Sequence, residues 1–175
     1  MTNKIEELTS RAVGAAKAAK ATVEGIDGVF RHLEREHGEA TALLLRLKLS
    51  SDPQKRRELW STVRAELLSH ERAEVAVLYP EFRNDSDLRV MATEHDQDAQ
   101  GLEEAIAELD GVSAESESWQ PSLERLIALV QEHVRDEEDE DFPIADRVFK
   151  DRSRELLEQF EAAKAAVKRQ LTDAH

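Results

Sequence analysis

One spaced motif occurs twice in this chain, and it limits the possible folds more than any other feature. Each copy has a histidine, a glutamate four positions later and then an aromatic-proline step: His70, Glu74, Tyr79 and Pro80, then His133, Glu137, Phe142 and Pro143. A Glu-His pair precedes each copy, at residues 36–37 and 94–95. Four imidazoles and two carboxylates at helical spacing are typical of a metal centre inside a helix bundle.

Length and composition favour a single helical domain. The chain has 175 residues, of which 35% are charged and 40% hydrophobic, with six Gly and four Pro. Ala, Leu, Glu, Arg and Lys dominate, and these residues favour helix by intrinsic propensity. We therefore expect an all-α protein with one core.

Charge and cysteine usage exclude several classes of function. The net charge of −14 argues against nucleic acid and anionic membranes as partners, because both need a basic surface. The chain has no Cys, which excludes disulfides, thiolate nucleophiles and iron–sulfur clusters. We find no signal-type apolar segment and no apolar run near the roughly 18 residues of a membrane span. We expect a cytoplasmic, soluble protein.

Apolar periodicity divides the chain into three parts. Residues 1–25 are predicted to form an accessory helix, residues 26–145 a four-helix bundle, and residues 146–175 a C-terminal helix that packs on the bundle. The bundle helices are expected at about 26–50, 53–78, 87–109 and 119–141. Pro80 and the Phe142-Pro143 step are expected to end the second and fourth helices. Short loops predict an up-and-down antiparallel arrangement.

Each bundle helix carries one histidine on its apolar stripe: His37, His70, His95 and His133. Counted from one end of the bundle, all four lie about 14 to 17 residues in, which places them within roughly 5 Å in depth at about 1.5 Å per residue. Glu74 and Glu137 follow a histidine by four residues, so each shares that histidine's face. An unpaired buried carboxylate is costly, and a metal ion would supply the missing charge.

The donor set indicates the metal. Imidazole and carboxylate without thiolate suit iron, manganese or zinc, and six ligands exceed the need of one tetrahedral zinc. The sequence predicts two non-haem iron ions bridged by carboxylates. A ferritin-like site, with Glu-x-x-His on two helices, is disfavoured because only Glu34 and His37 have that spacing. The corresponding positions on the other helices hold Leu67, Ala92 and Val130.

Residues 26–145 resemble the hemerythrin-like family, also described as HHE cation-binding domains. The resemblance is carried by Glu36-His37, Glu94-His95 and the two His-x3-Glu motifs, each followed by an aromatic-proline step. It implies an up-and-down four-helix bundle around an oxo- or hydroxo-bridged di-iron site. It also implies terminal histidine ligands and bridging carboxylates: His37, His70, His95 and His133 as terminal ligands, with Glu74 and Glu137 as bridges.

The chain departs from the oxygen carriers of that family. They place a second histidine four residues after the third-helix histidine, where this chain has Ala99, and an Asp on the fourth helix where it has Glu137. One iron should therefore lack an imidazole. Such a centre has more open positions and should react more readily with oxygen, nitric oxide or peroxide. The motif looks more like bacterial relatives tied to oxidative or nitrosative stress and iron-centre repair.

Several polar residues have two interpretations. Tyr79 is either a packing aromatic at the bundle end or a phenol that fills an open iron position. Glu36 and Glu94 either orient a histidine ring or are exposed helix charges. His32 and five residues of the acidic run 136–141, all except Glu137, are expected to face solvent. The terminal His175 is not expected in the site.

Four functions are compatible with these patterns. The favoured one is a di-iron protein that binds or senses oxygen, nitric oxide or peroxide in stress response or iron homeostasis. The others are an enzyme that turns over peroxide or nitric oxide, an iron store or donor for iron-centre repair, and a metal-free helical interaction module. The first three use the same ligands, so the sequence does not separate binding from turnover. It also leaves open the oligomeric state, any protein partner and the role of the N-terminal helix.

Overall fold

The computed structural model describes residues 15–17 and 26–173. Within these ranges the chain contains helices and no strand, as the all-α prediction requires. Residues 15–17 are helical, and the rest of the predicted accessory helix lies outside the described residues, as does His175. No helix in the described ranges has the length and apolar character needed to cross a membrane.

Four long helices form the bundle: α1 (Gly28–Leu49), α2 (Pro53–Asn84), α3 (Arg89–Asp110) and α4 (Trp119–Asp136). Each helix packs against the next one along the chain, and α4 also packs against α1. The short connections make neighbouring helices antiparallel, so the predicted up-and-down bundle is confirmed. At the first connection Asp52 caps α2, accepting hydrogen bonds from the Gln54 and Lys55 backbone N–H groups at 2.9 and 3.4 Å.

The expected end of the second helix at Pro80 is wrong, because α2 continues to Asn84. Proline removes one helix hydrogen bond, a cost of about 3 kcal/mol in a helix interior. The added turn buries Phe82 completely beside the buried Tyr79, and one such ring stabilises by about 1.5–3 kcal/mol. The Asn84 side chain also donates to the Pro80 carbonyl at 3.0 Å. The burial of Phe82 therefore offsets the free-energy cost of Pro80 within the helix.

The expected break at Phe142-Pro143 is also wrong. A π-helical turn at Glu137–Asp141 follows α4 directly, and a short helix α5 (Phe142–Phe149) continues from it. Pro143 lies in the first turn of α5, directly after the wider π-helical turn. The buried ring of Phe142 packs against Phe30, with ring centroids 5.3 Å apart, and holds this segment on the bundle.

The apolar core consists of two clusters separated by a polar layer. One cluster contains Phe30, Phe82 and Phe142, and the other contains Trp60 and Trp119. Helices α1, α2 and α3 contribute to both clusters, whereas α4 contributes to the second cluster and α5, which follows it, contributes to the first. The predicted histidines lie in this layer, one per helix.

A last helix, α6 (Ser153–Asp173), follows a 3-10 turn at Lys150–Arg152 and packs against α2 and α1. Leu156 and Phe160 of α6 are fully buried. Its first residue is locked to the start of α1, because the Val29 N–H donates to the Ser153 hydroxyl at 3.0 Å. Gly28 permits this contact: its φ is +58°, and a Cβ there would collide with Ser153 Oγ.

Candidate metal centre

The four predicted histidines meet in the polar layer as two pairs. Nε2 of His37 on α1 lies 3.2 Å from Nε2 of His70 on α2. The rings of His95 on α3 and His133 on α4 form the second pair, with centroids 5.1 Å apart. Three of these side chains are buried, and His70 keeps 13% of its side chain exposed. All four therefore lie in one layer, as their equal depth along the helices predicts.

The two predicted carboxylates lie between the histidine pairs. Glu74 Oε2 is 3.2 Å from Nε2 of His70. Glu137 reaches both pairs, with Oε2 at 3.2 Å from His37 Nε2 and Oε1 at 3.5 Å from His95 Nε2. Both carboxylates are buried, at 0% and 2% exposure. Each could therefore contribute an oxygen to a cation held by these histidines.

A third buried carboxylate, Glu71, completes the second pair and is not among the ligands predicted from the sequence. Its Oε1 lies 3.3 Å from Nε2 of His95, and its Oε2 lies 3.2 Å from Nε2 of His133. A signal for it exists in the sequence, because Glu71 precedes Glu74 by three positions and so lies near the same helix face. The His-x3-Glu spacing alone does not select it.

These seven residues form two groups that could each hold a metal ion, and the two groups share Glu74. The first subsite consists of His37, His70, Glu74 and Glu137, and the second subsite consists of Glu71, Glu74, His95 and His133. Within each subsite one donor atom from every residue lies within 4.8 Å of the others. All six sequence-predicted ligands are thus brought together.

The buried donor atoms that lack a hydrogen bond in this layer are of the types that bind metal ions. Several buried atoms make no hydrogen bond: both carboxylate oxygens of Glu74, Oε1 of Glu71, Oε2 of Glu137, both ring nitrogens of His95 and Nε2 of His133. Buried polar atoms are normally paired, and leaving them unpaired costs about 1–3 kcal/mol each. Imidazole nitrogen and carboxylate oxygen without sulfur suit iron, manganese or zinc. A cation would satisfy the carboxylate oxygens and the Nε2 atoms of this set, whereas Nδ1 of His95 points away from them.

The pKa values reflect the same concentration of charge. Burial, then the neighbouring Glu137, raises the pKa of Glu74. Burial alone would also raise the pKa of Glu137, but the imidazoles around it, His133 foremost, hold that pKa well below its ordinary value. Burial alone would lower the pKa of His133, yet Glu137 and Glu71 beside it raise that pKa to about 10. Without metal, protons on the histidines balance the carboxylates.

Metal binding should therefore release protons. His133, with a pKa of about 10, is protonated at neutral pH and must lose that proton to coordinate through Nε2. Apparent metal affinity should rise with pH below 10, by about tenfold per pH unit for each proton displaced. Calorimetric titration of the metal-free protein in buffers of different ionisation enthalpy measures the release. Binding that releases no proton between about pH 6 and 8 would contradict this assignment.

Two further carboxylates contact the outer nitrogens of the first subsite. Glu36 Oε2 lies 2.9 Å from Nδ1 of His70, and Glu138 Oε1 lies 3.0 Å from Nδ1 of His37. Of the two interpretations of Glu36, the structure supports ring orientation. Glu94, by contrast, is exposed.

The expectation that five residues of the acidic run 136–141 face solvent is wrong for Glu138 and Asp141. The π-helical turn begins at Glu137 and widens the helix, so more residues of this run point inward. Glu138 reaches His37, and Asp141 is buried. Burial and Glu137 raise the pKa of Asp141 to about 7.

The expectation that His32 faces solvent is also wrong, since its side chain is only 16% exposed and contacts Glu36 at 3.0 Å.

Tyr79 lies beside the second subsite. Its hydroxyl donates to Glu137 Oε1 at 2.7 Å, and its ring stacks on His95 with centroids 3.4 Å apart. Burial and the charge of Glu137 raise the pKa of this phenol well above its ordinary value. In the metal-free protein Tyr79 therefore stays protonated and positions Glu137.

Comparison with known proteins agrees with this geometry. The family model described as Hemerythrin HHE cation binding domain matches residues 13–145. A curated DNA nickase from Nostoc sp. (strain PCC 7120 / SAG 25.82 / UTEX 2576) is 24% identical over 143 residues, covering 79% of this chain and 40% of the nickase. The chain thus spans less than half the length of that relative. No solved structure matches the chain.

Proposed function

Because this chain belongs to the hemerythrin HHE cation-binding domain family, we propose that it holds two iron ions that bind or sense a small ligand. The ligand class is oxygen, nitric oxide or peroxide. The observation that carries this proposal is the pair of buried subsites joined through Glu74, with Glu137 in contact with histidines of both. Adjacent metal ions that share carboxylates are the usual form of a two-metal site.

The residues around the two subsites have distinct roles in this proposal. Iron, when bound, supplies open coordination positions and redox equivalents for the small ligand. The four imidazoles, Glu71, Glu74 and Glu137 would hold the metals, with Glu74 available to both subsites. Tyr79 donates a hydrogen bond that orients Glu137. The apolar clusters pack on either side of the layer and hold the four helices in place.

Glu71 favours a reactive or sensing centre over reversible oxygen carriage. In this chain Ala99 occupies the third-helix position at which the oxygen carriers are expected to have an additional histidine. The second subsite has two imidazoles and the Glu71 carboxylate instead. An anionic ligand stabilises the oxidised metal more than a neutral imidazole does. We therefore place binding or sensing in stress response or iron homeostasis ahead of oxygen transport.

A cavity gives small molecules a route to the centre. It has a volume of about 670 Å³ and is lined by side chains of α1, α2, α3, α4 and α6. His37, His70, Glu71 and His133 line it beside apolar side chains such as Leu67. A diatomic ligand or peroxide can enter such a space without movement of the bundle.

The nickase relative suggests a second hypothesis that the charge of this chain does not favour. Contacts to DNA phosphates need a basic surface, and the net charge here is −14. We expect the iron-loaded protein to leave supercoiled plasmid intact. Conversion of the plasmid to the open-circular form, lost together with the metal, would instead support a nicking activity.

Iron quantification combined with optical spectroscopy tests the proposed function. After anaerobic reconstitution the protein should retain about two iron ions per chain, and the spectra of the oxidised, reduced and nitric-oxide-treated forms should differ. Retention of less than about half an equivalent would exclude ligand binding at iron, turnover at iron and iron donation alike. Steady-state consumption of peroxide or nitric oxide would identify an enzyme, and rapid iron loss to a chelator would identify a donor.

The Tyr79→Phe variant tests whether Tyr79 is an iron ligand. Since the hydroxyl donates to Glu137, we expect no tyrosinate–iron(III) charge-transfer band and nearly the same visible spectrum for Tyr79→Phe and the unmodified protein. Loss of the hydrogen bond should weaken iron retention modestly, by about 1 kcal/mol. A visible band that disappears in Tyr79→Phe would show instead that the phenolate coordinates iron.

A further inference from the structure

A buried chain of three side chains connects α6 to the first subsite. Lys164 Nζ on α6 lies 2.5 Å from Glu36 Oε2, and the same oxygen lies 2.9 Å from Nδ1 of His70. The side chains are only 12%, 12% and 13% exposed. Lys164 lies beyond residues 13–145, the part that matches the family model. The contact therefore comes from a helix outside the matched region.

We propose that Lys164 is a positioning residue that sets the reduction potential of the metal in the first subsite through Glu36 and His70. A carboxylate that accepts from the outer N–H of a metal-bound imidazole increases the electron donation of that ring. A lysine on the same carboxylate oxygen competes for its negative charge and weakens this effect. The inference rests on the proposed function, because it requires a redox-active metal at His70.

The surroundings of Glu36 support this role. Its other oxygen, Oε1, contacts His32 Nε2 at 3.0 Å, so the carboxylate is held on both sides. Lys164 also lies 3.3 Å from Glu66 Oε2, and Arg35 lies 3.9 Å from Glu36 Oε1. Among the lysines of the described ranges, Lys164 contacts Glu36, whereas Lys168 contacts Glu66 at 2.7 Å. Lys168 therefore offers a matched control.

The other imidazole of the first subsite has a parallel arrangement. Glu138 lies 3.0 Å from Nδ1 of His37, and Lys17 lies 2.6 Å from the same carboxylate oxygen. His95 of the second subsite differs, because its Nδ1 has no hydrogen-bond partner in the described part of the chain. Both lysine–carboxylate pairs, Lys164–Glu36 and Lys17–Glu138, contact imidazoles of the first subsite. Their charge therefore acts more on a metal in the first subsite than on one in the second.

Two substitutions should shift the potential in opposite directions. Lys164→Met removes a positive charge and leaves Glu36 a stronger hydrogen-bond acceptor for His70. The ferric form is then stabilised relative to the ferrous form, and the midpoint potential falls. Glu36→Gln removes a negative charge and weakens donation from His70, so the midpoint potential rises. We expect a change of about tenfold in the ferric-to-ferrous ratio at fixed potential for each variant, at the lower end of outer-shell effects on metal sites. Spectroelectrochemical titration of the iron-loaded protein measures both shifts.

Matched variants separate this inference from structural damage and from the proposed function. Lys164→Arg and Lys168→Met should retain the original potential with about two iron ions per chain. Equal shifts in Lys164→Met and Lys168→Met, no shift in Lys164→Met, or shifts of the same sign in Lys164→Met and Glu36→Gln would overturn the role of Lys164. Failure of the unmodified protein to retain iron would instead reject the proposed function.

A metal-free measurement keeps the inference testable if a variant loses iron. In the ¹⁵N NMR spectrum of metal-free protein labelled at histidine, Lys164→Met should move the His70 Nδ1 resonance, and Lys168→Met should leave it in place. An unchanged His70 resonance in Lys164→Met would overturn the proposed coupling.

Discussion

Replacement of Glu74 by Gln is expected to reduce iron retention from about two ions per chain to less than about half an ion. Glu74 belongs to both subsites and is completely buried. An amide offers one weak neutral oxygen in place of two anionic ones, so it cannot bridge two cations. Metal analysis after anaerobic reconstitution and desalting measures the loss.

The metal-free fold should survive this substitution. Burial and the charge of Glu137 raise the pKa of Glu74, so the apo protein should tolerate a neutral side chain of the same size at this position. Thermal unfolding of the metal-free variant should therefore begin no lower than that of the unmodified protein. Glu58→Gln, an exposed substitution on the same helix, is the matched control and should retain iron. A Glu74→Gln protein that keeps about two ions would contradict the bridging role.

Replacement of Glu71 by Gln is expected to remove one iron ion and leave the other. Glu71 belongs to the second subsite alone, where its two oxygens lie 3.2–3.3 Å from His133 and His95. Truncating a direct ligand should lower affinity at that subsite by at least the roughly 10–100-fold found for outer-shell partners. The first subsite keeps its four residues. The variant should therefore retain about one iron ion per chain, in a spectrum without coupling between metals.

A substitution in the first subsite provides the comparison for Glu71→Gln. His70→Ala should also leave about one ion, but at the second subsite, and the two variants should differ in their nitric oxide spectra. If Glu71→Gln retains about two ions with an unchanged spectrum, Glu71 is no ligand, and the six residues with the predicted spacing suffice.

Much of the site could be predicted because it depends on local periodicity. The position of one histidine on each apolar stripe, at similar depth, requires only the rise and period of a helix. Glu74 and Glu137 follow from the i+4 relation in the same way. Glu71 has the i+3 relation to Glu74, but it also lies next to His70, and its use depends on where α3 and α4 place their histidines.

The helix ends and the outer charges could not be read from local pattern. Pro80 is tolerated because Phe82 is buried by residues distant in sequence, which no local rule contains. The π-helical turn at Glu137–Asp141 changes the phase of the acidic run and brings Glu138 to His37. The contact of Lys164 with Glu36 spans 128 positions and depends on how α6 packs. Tertiary packing decides each of these features.

Anomalous diffraction from crystals of the iron-loaded protein, recorded at the iron absorption edge, would locate each metal ion without reference to activity. We expect two peaks in the polar layer, one bound by His37, His70, Glu74 and Glu137 and the other by Glu71, Glu74, His95 and His133. A single peak, or iron bound at the protein surface with the layer vacant, would contradict the two-subsite centre.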